Sequence, residues 1–133
     1  MRTLVTRTTT EGGKRLDLGN RYFRSMWEAN YARYLNWLLD LGEVREWQYE
    51  SIEFEFPVKR GTRFYKPDFW VTWKEGKSEY VEIKGWMDGK SKTQLARMAK
   101  YHPAVKVRVI GPKEYLHLKR QVSRLVPNWE TVG

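Results

Sequence analysis

Hydrophobic and polar positions change period several times along the chain. Between Ser25 and Gly42, Trp27, Tyr31, Tyr34, Leu38 and Leu41 recur every three or four residues, with Arg33 and Asp40 elsewhere on the wheel. That spacing predicts an amphipathic helix closed by Gly42. The period then falls to two. Val44 to Glu50 reads as a strand, and Ile52, Phe54, Phe56 and Val58 alternate with Glu53, Glu55 and Pro57 in a half-buried strand ending near the proline. After a turn at Arg60-Gly61-Thr62, Phe69, Val71 and Trp73 alternate again. Lys74-Glu75-Gly76-Lys77 predicts a hairpin turn, and Glu79 to Lys84 the returning strand. Ser91, with Gln94 three residues on, predicts a capped helix to Tyr101 that His102-Pro103 stops. Val105, Val107 and Val109 form a further strand. Gly111-Pro112 opens a last helix through Leu116, Val122 and Leu125, ended by Pro127.

The order helix, strands, helix, strand, helix predicts an α/β fold with a mixed central sheet flanked by helices. At 133 residues it is read as one domain, 1–133. Residues 1–20, rich in Thr, Gly and basic side chains, read as an arm or weak edge strand before a core over 21–126.

Composition narrows the function. The chain has no cysteine, which excludes a disulfide scaffold, a thiolate metal site and a cysteine nucleophile. No run approaches the roughly 18 apolar residues of a membrane span, and the start lacks the apolar segment of a signal peptide. A cytoplasmic protein is expected. The net charge of +9 suggests a polyanionic partner, most often nucleic acid. The surplus is uneven: from Lys84 to Arg124, eleven Lys and Arg face only Asp88 and Glu114. Lys90, Lys92 and Arg97 lie near helical spacing and, with Arg24, are expected to hold backbone phosphates. The simpler account is a solvated basic face.

The strongest chemical signal is the hairpin from Pro67 to Lys84. A two-residue turn at Glu75-Gly76 sets Asp68 across from Ile83, beside Glu82 and Lys84. Alternation puts Glu82 and Lys84 on one face, roughly 7 Å apart at Cα. Paired carboxylates repel unless a cation or proton sits between them, and oxygen ligands with open positions suit Mg²⁺. The Ile83 carbonyl would add an oxygen, and Lys84 would orient or deprotonate water or neutralise phosphate charge. The alternative is an ordinary cross-strand ion pair. Glu28 shares a helical stripe with Ala32, Leu35 and Leu39, which points it inward; it also stands three residues after Ser25, as a capping box requires. Trp70 and Trp86 would stack on an unpaired base, although a Trp beside a strand is more often core. His102 and His117 lack metal-site spacing, and no phosphate-loop glycine pattern or serine elbow occurs.

Phe23-Arg24-Ser25-x-x-Glu28, then Tyr65-x-Pro67-Asp68-Phe69, then Val81-Glu82-Ile83-Lys84-Gly85, resembles the PD-(D/E)XK nuclease superfamily. Within it, the pattern is most similar to phage endonuclease I-type, Holliday junction-resolving enzymes, over about residues 22–115. The resemblance implies a restriction-endonuclease-like αβββαβ core. It implies a divalent-metal phosphodiesterase using Mg²⁺ or Mn²⁺, with Asp68, Glu82 and Glu28 as metal-site carboxylates and Lys84 as the catalytic lysine. It further implies 5′-phosphate products, a homodimer acting on branched DNA, and the host cytoplasm if the protein is phage-encoded. The N-terminal arm and the Trp-dense stretch Trp70, Trp73, Trp86 depart from that pattern. The function expected is a metal-dependent DNA endonuclease acting on four-way or branched DNA, with neither membrane nor nucleotide cofactor as partner. A nicking or restriction-like endonuclease on ordinary duplex is the nearest alternative. A non-catalytic nucleic-acid-binding module on the same fold is the other. A pure binder, however, gains nothing from carboxylates where DNA phosphates come, because like charges repel.

Overall fold

Ser25 begins the first helix for the reason its hydroxyl suggests, accepting the Glu28 backbone N–H at 3.1 Å. The computed structural model describes residues 12–132. They divide into two units, 12–43 with 115–132, and Val44–Glu114.

In the first unit, β1 (Gly13–Arg15) and β2 (Arg21–Phe23) pair antiparallel around a 3-10 turn at Leu16–Leu18. The expected arm is therefore a strand over 13–15, and its residues 1–11 lie outside the described ones. Helix α1 (Met26–Asp40) ends as Gly42 predicts: φ is 80° there, Gly42 N–H donates to Leu39 O, and Glu43 N–H donates to Leu38 O. Only a residue that tolerates the left-handed region closes this double bond cheaply. Tyr31, Ala32, Leu35 and Leu38 are buried. Arg33, expected on a polar face, is buried as well, because it has partners there. Helix α3 (Pro112–Val122) stops three residues short of the expected Leu125. From it, Tyr115 stacks on Trp27 with ring centroids 4.1 Å apart and accepts a 2.9 Å bond from Asn30 Nδ2.

The second unit is built on a four-stranded mixed sheet. Its order is β3 (Val44–Tyr49), β6 (Phe69–Trp73), β7 (Ser78–Ile83), β8 (Val107–Ile110), after a separate small hairpin of β4 (Phe54–Glu55) and β5 (Phe64–Tyr65). The first three sheet strands are antiparallel neighbours and β7–β8 is parallel. A parallel neighbour needs a crossover, which here contains α2 (Gly89–Tyr101). The α/β class with a mixed sheet is thus as expected.

Three local differences have physical causes. The segment from Ile52 to Val58 pairs only at Phe54–Glu55, since Pro57 has no N–H to donate and Val58 N–H turns back to Phe56 O at 2.8 Å. Helix α2 starts at Gly89, not Ser91, because Asp88 is the cap: its Oδ1 accepts the Ser91 N–H at 2.7 Å. The strand after α2 is Val107–Ile110, two residues later in its start than the valine pattern suggests. Phe56, Tyr65 and Met98 form the buried cluster between α2, the small hairpin and the sheet, with Leu95, Tyr101 and Val107 packed on it. Each such burial contributes about 1.5–3 kcal/mol.

The Asp88 cap carries a pH signature. The Ser91 backbone N–H, and then its hydroxyl, hold the exposed Asp88 carboxyl below its ordinary value of 3.8. A depressed carboxyl stabilises the fold above its unfolded value and loses that contribution as pH falls through the folded one. Asp88→Ala is expected to lower the thermal midpoint at neutral pH, with the gap to wild type closing below about pH 3.8. Asp88→Asn should keep most of the cap and lose the pH dependence. Equal midpoints for Asp88→Ala and wild type at neutral pH would refute the cap.

Candidate active site

The hairpin of β6 and β7 positions the expected residues, one step out of the expected register. Its loop is Lys74–Gly76: Gly76 N–H donates to Trp73 O at 2.9 Å, Trp73 N–H to Lys77 O at 2.8 Å, and Gly76 has φ 95°. That is a three-residue loop with a left-handed glycine, one residue longer than the two-residue turn the sequence predicts. Phe69 therefore pairs with Val81 and Trp70 with Tyr80. Continued by one residue, this register sets Asp68 opposite Glu82, where Ile83 was expected. The shift helps the chemistry, because directly opposed residues share a face of the sheet.

Side-chain bonds replace the ladder at this end. Glu82 Oε1 accepts the Asp68 N–H at 3.2 Å, and Asp68 Oδ2 accepts the Ile83 N–H at 2.8 Å. Each carboxylate thus holds the backbone beside the other. Glu82 Oε1 also accepts the Tyr65 hydroxyl at 3.0 Å, and Lys84 Nζ lies 3.2 Å from Glu82 Oε2. Asp68 and Glu82 are buried, 7% and 4% exposed, whereas the Lys84 side chain is half-buried.

Burial pushes the Glu82 carboxyl above the usual carboxylate range, against the pull of the Lys84 charge, the Tyr65 hydroxyl, the Lys84 hydrogen bond and the Asp68 N–H. Negative charge is therefore costly at Glu82, and a further cation would relieve the cost. Burial first, and then the neighbouring Glu82 charge, push the Tyr65 hydroxyl upward, so it remains a donor.

Glu50 joins these residues, and the sequence did not single it out. It follows β3 with φ 48°, its N–H donates to Asp68 O at 2.8 Å, and one of its carboxylate oxygens lies within 4.8 Å of one from Asp68. The β3–β6 register, Tyr49 on Phe69, puts Glu50 opposite Asp68. Glu50, Asp68 and Glu82 thus form a row across three adjacent strands. The signal was the strand Val44–Glu50 itself, but only its pairing with β6 reveals the row. The carboxylate oxygens of Glu50 and Asp68 are donors of the kind a hard divalent cation such as Mg²⁺ or Mn²⁺ takes. Three hydrogen bonds on Glu82 leave lone-pair capacity for one.

Glu28 belongs to the other unit. It is buried in the first turn of α1, and its Oε2 accepts the Ser25 hydroxyl at 3.2 Å, while the cap itself is that hydroxyl accepting the Glu28 N–H. Arg24 is exposed just before that helix. On α2, Lys90 and Lys92 are exposed, but two residues apart they lie about 200° round the helix from each other. Arg97, seven residues after Lys90, returns to the Lys90 stripe. It is half-buried and its Nη1 donates to the Thr62 carbonyl, so it holds a loop. Trp86, expected as core, is 76% exposed, because it follows the end of β7. Trp70 is half-buried, and His117 is exposed. His102 closes α2 as expected, and its Nε2 lies 3.0 Å from Glu55 O. No helix among the described residues is long and apolar enough to cross a membrane.

Compared with known proteins, the chain matches no family model and no curated sequence.

Proposed function

We propose that this protein is a divalent-metal-dependent DNA endonuclease of the PD-(D/E)XK kind, structure-specific for four-way or branched DNA. The observation that carries the reading is the buried pair Asp68 and Glu82 on adjacent strand ends, with Lys84 on Glu82 Oε2 at 3.2 Å. The order α1, β3, β6, β7, α2, β8 supports it, being the αβββαβ order the resemblance implies. A bound Mg²⁺ or Mn²⁺ would neutralise the scissile phosphate and ease ionisation of the attacking water.

In this reading Asp68, Glu82 and the Ile83 carbonyl hold the cation, with Glu50 as a further oxygen donor. Glu28 keeps the ligand role that the resemblance implies. Tyr65 and the Asp68 N–H hold the Glu82 carboxylate in place. Lys84 moves a proton from the attacking water or neutralises a phosphate oxygen. Water attacks phosphorus in line, the P–O3′ bond breaks, and the products are a 5′-phosphate and a 3′-hydroxyl. Arg24, Lys90 and Lys92 contact flanking phosphates, and exposed Trp86 is available to a base. A homodimer would bring two such sites to one junction.

The test is a labelled four-way junction beside a matched linear duplex, each with Mg²⁺ or EDTA. Paired symmetric cuts in the junction alone, lost in EDTA, are expected. Equal cutting of both DNAs would make it a general endonuclease, and binding without any cutting would make it a binding module. Lys84→Ala should remove turnover and leave the Mg²⁺ midpoint nearly unchanged. An unaltered rate would take Lys84 out of the chemistry.

A further inference from the structure

After β4 and through β5 the chain runs Val58-Lys59-Arg60-Gly61-Thr62-Arg63-Phe64-Tyr65-Lys66, four cations with no carboxylate. Lys59, Arg60, Arg63 and Lys66 are all exposed. So is Phe64, at 43%, with the Arg63 guanidinium over its ring at 5.4 Å. Arg63 also reaches Glu55 at 3.3 Å, a solvated pair that binds it weakly. Gly61, Thr62, Arg63, Phe64 and Lys90 line an open surface depression of about 480 Å³.

A loop of this composition would ordinarily be loose, yet its backbone is fastened from beneath. Phe56 N–H donates to Arg63 O at 2.7 Å, Gln94 Nε2 to Phe64 O at 3.1 Å, and Arg97 Nη1 to Thr62 O. The two side-chain donors both come from α2. Alternation then divides the work of β5: Tyr65 turns inward to Glu82, and Phe64 turns its ring to solvent. The loop is therefore pinned at three carbonyls, cationic and aromatic, and its own Tyr65 touches the carboxylate site. Repelling cations held together around an exposed ring suit a ligand with regularly spaced anions and flat faces.

We propose that residues 58–66, fastened to α2, grip a DNA strand: Lys59, Arg60, Arg63 and Lys90 hold backbone phosphates, and Phe64 stacks on an unpaired base. Arg97 and Gln94 act as positioning residues for the loop. The inference rests on DNA as the partner, and it names which part of the strand this unit holds.

The experiment measures binding in EDTA, where nothing is cut, to a four-way junction carrying 2-aminopurine at the branch point and to a linear duplex. Arg60→Ala/Arg63→Ala/Lys90→Ala is expected to weaken both complexes and to lower the salt slope by about 0.9 for each phosphate no longer neutralised. Phe64→Ala should leave that slope unchanged and lower junction affinity roughly five-fold or more, the loss typical of one stacking aromatic. It should also alter the 2-aminopurine fluorescence of the complex, and Phe64→Trp should restore both. Phe64 is exposed, so its variants should melt with wild type. Unchanged affinity, slope and fluorescence in these variants would overturn the proposal. So would a wild-type protein that binds anionic lipid vesicles but neither DNA. If the loop effects appear while wild type with Mg²⁺ cuts nothing, the grip stands and only the endonuclease reading falls.

Discussion

Asp68→Ala and Glu82→Ala are each expected to abolish Mg²⁺-dependent junction cleavage, by roughly 10³-fold or more, the scale of losing a group that stabilises the transition state. Binding in EDTA should survive, because neither carboxylate attracts a phosphate by itself. The alanine variants carry a structural cost. Asp68→Ala frees the Ile83 N–H, and Glu82→Ala frees the Tyr65 hydroxyl and the Asp68 N–H. A buried donor left without its acceptor costs about 1–3 kcal/mol. Asp68→Asn and Glu82→Gln separate the two effects, since each keeps an oxygen for those donors and removes only the charge. They are expected to melt close to wild type and still fail to cut. Full cleavage by either charge-neutral variant would sink the assignment of both carboxylates to the chemistry.

How far that site could be read from the chain depends on which contacts are local. Glu82 and Lys84 are two residues apart, and strand periodicity alone puts them on one face. Asp68 is fourteen residues from Glu82 across a single hairpin, near enough for its pairing to be estimated. The estimate missed by one because Gly76 takes a left-handed φ and lengthens the loop from two residues to three. Glu50 was beyond reach for another reason. Its partner Asp68 lies across the small β4–β5 hairpin, and no turn rule counts register through an inserted hairpin. The same hairpin conceals the role of Arg97. Helical spacing made it look like a surface cation, and its acceptor, the Thr62 carbonyl, is 35 residues away. The layers were more legible, because the change from period four to period two marks the long helices and sheet strands regardless of distant contacts.

Arg33→Ala is expected to destabilise the fold by about 3 kcal/mol, within the range for breaking a buried ion pair. Spacing puts Arg33 off the apolar stripe of α1, yet its side chain is 2% exposed. Its Nε and Nη2 grip Asp17 in a two-point bond of 2.8 and 2.9 Å. Nη2 also donates to Thr131 O at 2.7 Å and Nη1 to Asn30 Oδ1 at 3.0 Å. The same Asn30 oxygen accepts the Glu130 N–H at 2.8 Å. One guanidinium thus fastens the turn after β1 and the last described residues to the middle of α1, sixteen and ninety-eight positions away. A lysine cannot reproduce the planar fork, so Arg33→Lys should lose a large part of the same stability. Asp17→Ala alone strands a buried cation and should also be costly, although the Asp17 side chain is 19% exposed and solvent softens the loss. Asp17→Ala/Arg33→Met removes both charges and fills most of the space, so it should cost less than the sum of the single changes. Urea midpoints at constant slope measure each step. A loss below about 1 kcal/mol for Arg33→Ala would mean that this network behaves like an exposed pair, and that α1 holds its neighbours by apolar packing alone.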